Sequence, residues 1–110
     1  MNTTWTVRTT YEADQDIAEI LLWTQENFSS EQADVYAETL ALALENLVDG
    51  PDITGAKQRD DILPGIRLLH VARQGRRGRH IVVFRVVEAG FIDVLRILHD
   101  SMDLVRHIRD

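Results

Sequence analysis

The chain has 110 residues, of which 45% are hydrophobic and 27% charged, and its formal net charge is −6 at pH 7. This length supports one folded core, the composition is unlike that of disordered chains, and the acidic balance disfavours a general nucleic-acid binder. Because the chain has no cysteine, it offers no disulfide and no thiolate for metal binding or catalysis. We therefore predict a single domain over residues 1–110, cytoplasmic, with neither a signal peptide nor a membrane span.

The N-terminal segment predicts a strand and then a helix. Residues 4–9 alternate polar and apolar β-formers, which predicts a strand with Trp5 and Val7 on one face. Apolar residues then recur at helical spacing, which predicts a first helix from Asp14, acting as N-cap, to about Phe28.

A second helix is predicted directly after the first. Ser29 and Gln32 form a capping-box pattern, and apolar residues continue at helical spacing to Leu47. Gly50 and Pro51 then end the helix. Because the junction between the two helices is only a few residues long, they should fold back as an antiparallel hairpin.

The second half of the chain predicts a sheet. Residues 51–65 lack periodicity and contain both prolines, so we predict a surface loop. Residues 66–73, 80–87 and 91–98 are rich in β-formers, and their short connections indicate antiparallel pairing. Residues 100–107 predict one or two helical turns. The fold class is therefore α+β in the order β-α-α-β-β-β, with the helical hairpin packed on one face of an antiparallel sheet and a short C-terminal helical segment.

Both faces of the predicted sheet are apolar. The face expected to pack on the hairpin carries Val82, Phe84, Val86, Leu95 and Ile97. The opposite face is also mostly apolar and carries Arg67, Leu69, Val71, Arg73, Ile81, Val83, Arg85, Val87, Ile92, Val94, Arg96 and Leu98. An antiparallel sheet with one face in water should alternate apolar and polar residues, so the second face needs a cover. We favour a segment of a partner protein as that cover, with the C-terminal tail and a homodimer as alternatives.

Three arginines would lie on this second face. Arg67, Arg85 and Arg96 stand on three strands that are expected to be neighbours. Converging guanidinium groups would suit phosphate or carboxylate groups of an acidic partner. The alternative is that each arginine reaches the rim or pairs with a nearby acid such as Glu88 or Asp93. The sequence leaves both interpretations open.

Little in the sequence indicates catalysis. The four histidines lack metal-ligand spacing, and His99 with Asp103 is more typical of a structural hydrogen-bonded pair than of an acid/base pair. Residues 75–79, rich in Gly and Arg, predict a solvated hairpin tip. Trp23 lies off the main helical stripe, where it would either form an interface or cap the hairpin core. We predict no catalytic residue, no cofactor and no metal.

Several stretches resemble the RelE/ParE toxin superfamily, in particular ParE-type toxins. The resemblance extends from about Trp5 to Ile108. It is strongest in residues 94–107, which contain the sequences Arg-Ile-Leu-His, Met-Asp and Arg-His typical of that family. The other stretches that carry it are residues 16–20, Gln32, Ala33, Tyr36, residues 65–67 and residues 79–86. The predicted order of helices and strands is also that of this superfamily.

The resemblance implies the toxin of a type II toxin–antitoxin system, with a cognate antitoxin as partner and DNA gyrase as target. The residues expected to contact the antitoxin are Arg67, Leu69, Val71, Val83, Arg85, Val94 and Arg96. Those expected to contact gyrase are His99, Met102, Asp103, Arg106 and His107. No sequence-specific nucleic-acid binding is expected, and a homodimer or a larger toxin–antitoxin assembly remains open.

The alternative within the superfamily is a ribosome-dependent mRNA endoribonuclease of the RelE type. Such enzymes use basic residues and often a C-terminal tyrosine. Both tyrosines of this chain, Tyr11 and Tyr36, lie in the first half, and no lysine follows Lys57. These departures, with the acidic net charge, favour gyrase inhibition over RNA cleavage.

Overall fold

The computed structural model describes residues 4–108 and confirms the α+β class. The elements are β1 (Thr6–Thr9), α1 (Tyr11–Asn27), α2 (Ser30–Asn46), a 3-10 turn (Leu47–Asp49), β2 (Lys57–Gln58), β3 (Arg67–His70), β4 (His80–Glu88), β5 (Phe91–His99) and α3 (Leu104–His107). One sheet contains all five strands in the order β1-β5-β4-β3-β2. Neighbouring strands are antiparallel except β1 and β5, which are parallel. The two-residue β2 lies in the segment predicted as an irregular loop, which corrects that prediction.

The two long helices begin at side-chain caps. α1 begins earlier than predicted, because the extended residue Thr10, rather than Asp14, acts as N-cap and its side-chain oxygen accepts a hydrogen bond from the Ala13 amide at 3.1 Å. The predicted start of α2 is confirmed, since Ser29 accepts from the Gln32 amide at 3.0 Å. The hairpin of α1 and α2 therefore forms as the sequence predicts.

The first core lies between this hairpin and the sheet. Val82, Phe84 and Ile97 face it as predicted, and Trp5 and Val7 pack against its edge. The fully buried set comprises Ala13, Leu40, Ala43, Leu47, Leu69, Val71, Val82, Phe84, Ile92, Val94 and Ile97. Burial of this apolar area is the main term that holds the hairpin on the sheet.

A β-bulge changes which residues of β5 face the hairpin. Val83 is paired with Arg96, but the next residue of β4, Phe84, is paired with Val94, so Leu95 is an extra residue in β5. The facing positions of β5 are therefore even-numbered before the bulge and odd-numbered after it. As a result, Leu95 packs on the second face and not beneath the hairpin, contrary to the prediction.

The second face of the sheet is covered by the chain itself. Its buried residues are Ile66, Leu68, Val83, Leu98 and Ile108, and the partly buried residues packed on them are Ile62, Leu63, Ile81, Leu95 and Leu104. Ile108 and Leu104 come from the C-terminal segment, and Ile62, Leu63 and Ile66 from the loop before β3. We call these ten residues the second core. The favoured prediction of a partner over this face is wrong; the tail covers it together with that loop.

Candidate functional site

A groove of about 1100 Å³ opens where the hairpin meets one end of the sheet. One wall is formed by α1 and α2, the other by residues 75–79, and the floor by the start of β4 and the end of β5. Large apolar side chains line it although they are half-exposed: Trp23 is 57% exposed, Phe28 68%, Val35 50% and Met102 43%. Such a concentration of exposed apolar side chains is typical of a protein interface.

The most prominent apolar feature of the groove is an aromatic pair at the turn between the helices. The rings of Trp23 and Phe28 lie edge to face, with centroids 5.8 Å apart and an angle of 66° between their planes. We call this pair the aromatic ridge. Of the two roles that the sequence left open for Trp23, its exposure in the groove favours an interface.

Residues 75–79 are tied to α2 and are not the freely solvated tip that the sequence predicts. The Arg76 guanidinium donates to the Thr39 hydroxyl at 3.0 Å and to the Val35 carbonyl at 2.9 Å. It also lies 3.6 Å from the Glu38 carboxylate. We call residues 75–79 the arginine loop. These bonds fix its position against the helix.

Gly78 allows the arginine loop to approach this closely. A Cβ at this position would lie 2.6 Å from Val71 Cγ2 and 2.8 Å from the Tyr36 hydroxyl oxygen, both far below normal contact distances. The neighbouring Arg79 amide donates to the same Tyr36 oxygen at 3.2 Å. Only glycine fits here without displacing one of these groups.

Tyr36 and two histidines form the polar part of the floor. A hydrogen bond of 2.6 Å joins the Tyr36 hydroxyl oxygen to His80 Nδ1, and the His80 and His99 rings meet edge to face at 5.3 Å. Burial first, and then the nearby His99, lower the pKa of His80 to about 4. Burial also raises the pKa of Tyr36. Both side chains are therefore neutral near pH 7.

Asp100 anchors the end of β5 beside the floor. It binds Arg79 at 3.0 Å and His70 Nε2 at 2.9 Å, and these hydrogen bonds, that of Arg79 first, hold the pKa of Asp100 well below its usual range. His99 Nδ1 accepts from the Ser101 amide at 3.1 Å and from the Ser101 hydroxyl at 2.7 Å. The predicted hydrogen bond between His99 and Asp103 is not formed, and the bonds that His99 makes go to Ser101 instead.

Asp16 closes the free edge of β5. β1 pairs with β5 only as far as Val94. Beyond that point Asp16 of α1 accepts from the Ile97 amide at 2.9 Å and from Arg96 at 2.7 and 3.0 Å. The bonds to Asp16 raise the pKa of Arg96. The edge is thus protected by a side chain where the neighbouring strand ends.

The apolar residues predicted to bind the antitoxin are buried within this chain. Leu69, Val71 and Val94 are at most 1% exposed beneath the hairpin, and Val83 lies in the second core. The prediction that they share an open face is wrong because the β5 bulge and the register of β3 turn three of them toward the helices. A partner does not reach them without unfolding part of the domain.

The three arginines predicted to converge are dispersed. Arg67 pairs with Asp52 at 2.6 Å at one side of the sheet, and Arg96 pairs with Asp16 at the groove. Arg85 forms no ion pair with any residue between 4 and 108. Of the two interpretations that the sequence left open, the anion site on the second face is not formed, and Arg67 and Arg96 instead pair with acids of the chain. Arg96 does line the groove.

The residues predicted to contact gyrase fall in two places. His99 and Met102 line the groove, whereas Asp103, Arg106 and His107 are exposed on the C-terminal segment outside it. Sequence reasoning missed the groove itself, including Tyr36 and His80, because it is formed by segments far apart in the chain. The local signal that pointed there was Trp23, a large aromatic residue off the main helical stripe.

Neither a metal site nor a membrane span is found in residues 4–108. No group of three or more histidine or acidic side chains in that range is placed to hold a metal ion. None of the helices described there has the length and apolar character needed to cross a membrane.

Comparison with known proteins identifies relatives of the chain. Residues 7–104 match the family described as "ParE toxin of type II toxin-antitoxin system, parDE". The chain is 32% identical over 96 residues to Toxin ParE1 of Mycobacterium tuberculosis, covering 87% of this chain and 90% of that protein.

Solved structures show the same fold. The structure of the chromosomal ParDE system from P. aeruginosa superposes with a TM-score of 0.70 at 22% identity, covering 87% of this chain and 96% of the other. The RelBE2 toxin–antitoxin complex from Mycobacterium tuberculosis gives a TM-score of 0.58 at 20% identity, covering 93% and 98%.

Proposed function

Because the chain belongs to the ParE toxin family of type II toxin–antitoxin systems, we propose that it inhibits DNA gyrase in the cytoplasm and is neutralised by a cognate antitoxin. The observation that carries the antitoxin site is the groove, where four half-exposed apolar side chains lie beside the fixed arginine loop. Two structural relatives are described as a toxin–antitoxin system and a toxin–antitoxin complex, which supports a partner of this kind.

The toxin would act by contact and not by catalysis. We propose that gyrase contacts the C-terminal segment through His99, Met102, Asp103, Arg106 and His107. His99 and Met102 also line the groove. An antitoxin bound there would cover part of the gyrase contact, and neutralisation would follow from this masking.

A second candidate is ribosome-dependent mRNA cleavage, which the floor of the groove favours. Tyr36, His80 and His99 lie together there, and a neutral imidazole is a suitable proton acceptor. However, His80 Nδ1 is already hydrogen-bonded to Tyr36, and a pKa near 4 makes His80 a weak base. The acidic net charge also disfavours a polyanionic substrate. We therefore favour gyrase.

The experiment assays both activities with one protein sample. Gyrase supercoiling and ribosome-dependent mRNA cleavage are measured with the purified chain, alone and with the antitoxin encoded by the neighbouring gene. We expect inhibition of supercoiling that the antitoxin reverses, and no cleavage. Codon-positioned mRNA cleavage that is lost in His80→Ala, with normal supercoiling, would show that the second candidate is right.

A further inference from the structure

The outer side of α1 carries a row of exposed residues. The inner side of the helix packs on the first core through Ala13, Ile17 and Ile20. On the outer side Tyr11 is 73% exposed and Leu22 55%. We call the exposed row the seam; its members are Tyr11, Gln15, Ala18, Leu22 and Gln25. The seam lies outside the groove, since none of its members belongs to the groove lining.

The seam has the spacing of one side of a coiled coil. Its members follow one another in steps of four and three residues, so they occupy the a and d positions of a heptad. Ala13 then takes the f position, which points away from the seam, in agreement with its burial in the first core. The central member of the seam, Ala18, is small, and Tyr11 and Leu22 supply apolar surface on either side of it. The seam therefore has the shape that a second helix can pack on.

A row of glutamates runs beside the seam. Glu12, Glu19 and Glu26 recur every seven residues, at the e position, so they follow one another at about 10.5 Å along the helix axis. All three are exposed, and α1 contains no lysine or arginine. Glu26 lies in the last turn of the helix, where the helix dipole disfavours a negative charge. The stability of α1 alone therefore does not account for this row.

The negative charge beside the seam is not balanced by neighbouring cations. Glu12, Glu19 and Glu26 form no ion pair within residues 4–108; the acid of α1 that does so is Asp16, at 2.7 Å from Arg96. The charges of Glu12 and Glu19 contribute to the raised pKa of Arg96. Residues 11–46, which form the hairpin, contain nine of the 18 acidic residues of the chain and none of its 12 lysines and arginines.

This charge determines what kind of helix fits the seam. A second copy of α1 would bring two rows of glutamates together, and like charges across an interface repel each other. A helix with lysine or arginine at the facing heptad positions would form ion pairs with the row while its apolar residues pack on Tyr11 and Leu22. The partner that fits the seam is therefore an amphipathic helix with a basic flank.

Basic helices are typical of proteins that contact DNA phosphates, and the target proposed above, DNA gyrase, acts on DNA. We infer that the seam and its glutamate row bind a basic helix of gyrase that otherwise contacts DNA. The seam is then a second contact with gyrase, separate from the C-terminal segment. This inference rests on the proposed function, since it names a further surface for the same target. The toxin competes with DNA for part of the gyrase surface.

The test removes matched pairs of glutamates from the two helices of the hairpin. Glu12→Gln with Glu26→Gln removes two charges beside the seam. Glu31→Gln with Glu45→Gln removes two charges from α2, at the same positions relative to the helix ends. All four glutamates are exposed and outside the groove lining. Inhibition of gyrase supercoiling is measured with each purified variant, calorimetry gives its affinity for the antitoxin, and thermal melting shows that it is folded.

We expect the inhibitory concentration to rise at least about tenfold for the α1 pair and less than about twofold for the α2 pair. Leu22→Gln should raise it at least about fivefold, because it places a polar group on the seam. Val87→Gln is its control, since Val87 is a 43% exposed apolar residue outside the hairpin, and should leave inhibition unchanged. The affinity for the antitoxin should be the same in all four variants.

Equal inhibition by the α1 pair and the α2 pair would overturn the inference but not the proposed function. A loss of antitoxin affinity in the α1 pair alone would also overturn it, by making the antitoxin the partner of the seam. Sedimentation of the free chain gives a third outcome, since a dimer that Leu22→Gln dissociates would mean that the seam pairs two copies. A wild-type chain that leaves supercoiling unchanged would overturn both the inference and the proposed function.

Discussion

The second core and the groove are both apolar surfaces at the sheet, yet only the groove is exposed. In the second core Val83 is fully buried and Leu98 is 2% exposed, because the C-terminal segment and the loop before β3 lie over them. In the groove Trp23 and Phe28 remain more than half exposed. An apolar strand face therefore does not locate a partner site when other segments of the chain are available to cover it.

The largest expected effect on the buried second core comes from a substitution at Val83. Val83→Asp places an unpaired carboxylate in the second core, so the free energy of unfolding should fall by about 3–5 kcal/mol. Val87→Asp, on the same strand but 43% exposed, should cost less than about 0.5 kcal/mol. Urea denaturation of both variants measures this. If Val83→Asp were as stable as Val87→Asp, the face would be open and the original partner prediction would regain its basis.

Removing part of the cover should have a smaller effect. Ile108→Ala removes a side chain that packs in the second core. Because the residue lies near the end of the described chain, we expect the free energy of unfolding to fall by only about 2 kcal/mol. His107→Ala, its exposed neighbour, should change stability by less than about 0.5 kcal/mol. Melting temperatures of the pair distinguish a packed tail from a loose one. Equal melting would mean that the tail does not hold the second core closed.

The groove floor should make stability depend on pH. The pKa of His80 is about 4 in the fold and about 6.5 in the unfolded chain, so the unfolded state binds the proton more tightly. The stabilisation is complete above pH 6.5 and is lost as the pH falls toward 4. Since the ring is partly solvated, screening reduces the loss between pH 7 and pH 5 to about 1 kcal/mol.

The measurement compares wild type with His80→Asn by urea denaturation at both pH values. Carboxylates that titrate in the same range act equally in both proteins, so the difference isolates His80. His107→Asn is the control, because it replaces an exposed histidine outside the groove by the same residue. An identical slope in wild type and the His80→Asn variant would mean that the His80 ring is not desolvated in the fold.

The smallest stability effect is expected at the aromatic ridge. Trp23→Ala removes an exposed side chain, so the free energy of unfolding should change by less than about 0.5 kcal/mol. The affinity for the antitoxin should fall at least about tenfold. Leu22→Ala is the matched control, since Leu22 is 55% exposed but outside the groove lining. Both affinities are measured by calorimetry. A similar affinity loss for both would point to a general effect of α1.

The helices, the strands other than β2 and their order along the chain follow from local patterns, because periodicity, the Ser29 cap and short connections are properties of neighbouring residues. The assignment of faces failed where one residue decides it: the extra Leu95 reverses the parity of β5. Nothing in the sequence marks that bulge, which Arg96 and the Ile97 amide stabilise through Asp16, 80 residues away from Arg96. The alternation of side chains between the two faces of a strand predicts which residues share a face only while the pairing register is unbroken.

The groove could not be predicted from patterns of neighbouring residues for a similar reason. Its floor joins Tyr36 of α2 to His80 of β4, a hydrogen bond between residues 44 positions apart. The glycine that lets the arginine loop approach α2, Gly78, appears in the sequence only as a residue of a turn. Exposure of Trp23 and Phe28 becomes visible only when the cover of every other apolar surface is known.

We expect the antitoxin to bind in the groove and not on the second face, and the fluorescence of Trp23 distinguishes these two sites. In a Trp5→Phe variant Trp23 is the one remaining tryptophan, so acrylamide quenching reports its exposure when the antitoxin sample lacks tryptophan. We predict that a stoichiometric amount of antitoxin lowers the quenching constant several-fold, toward that of a buried ring. A saturated complex in which Trp23 is quenched as readily as in the free toxin would show that the antitoxin does not cover the groove.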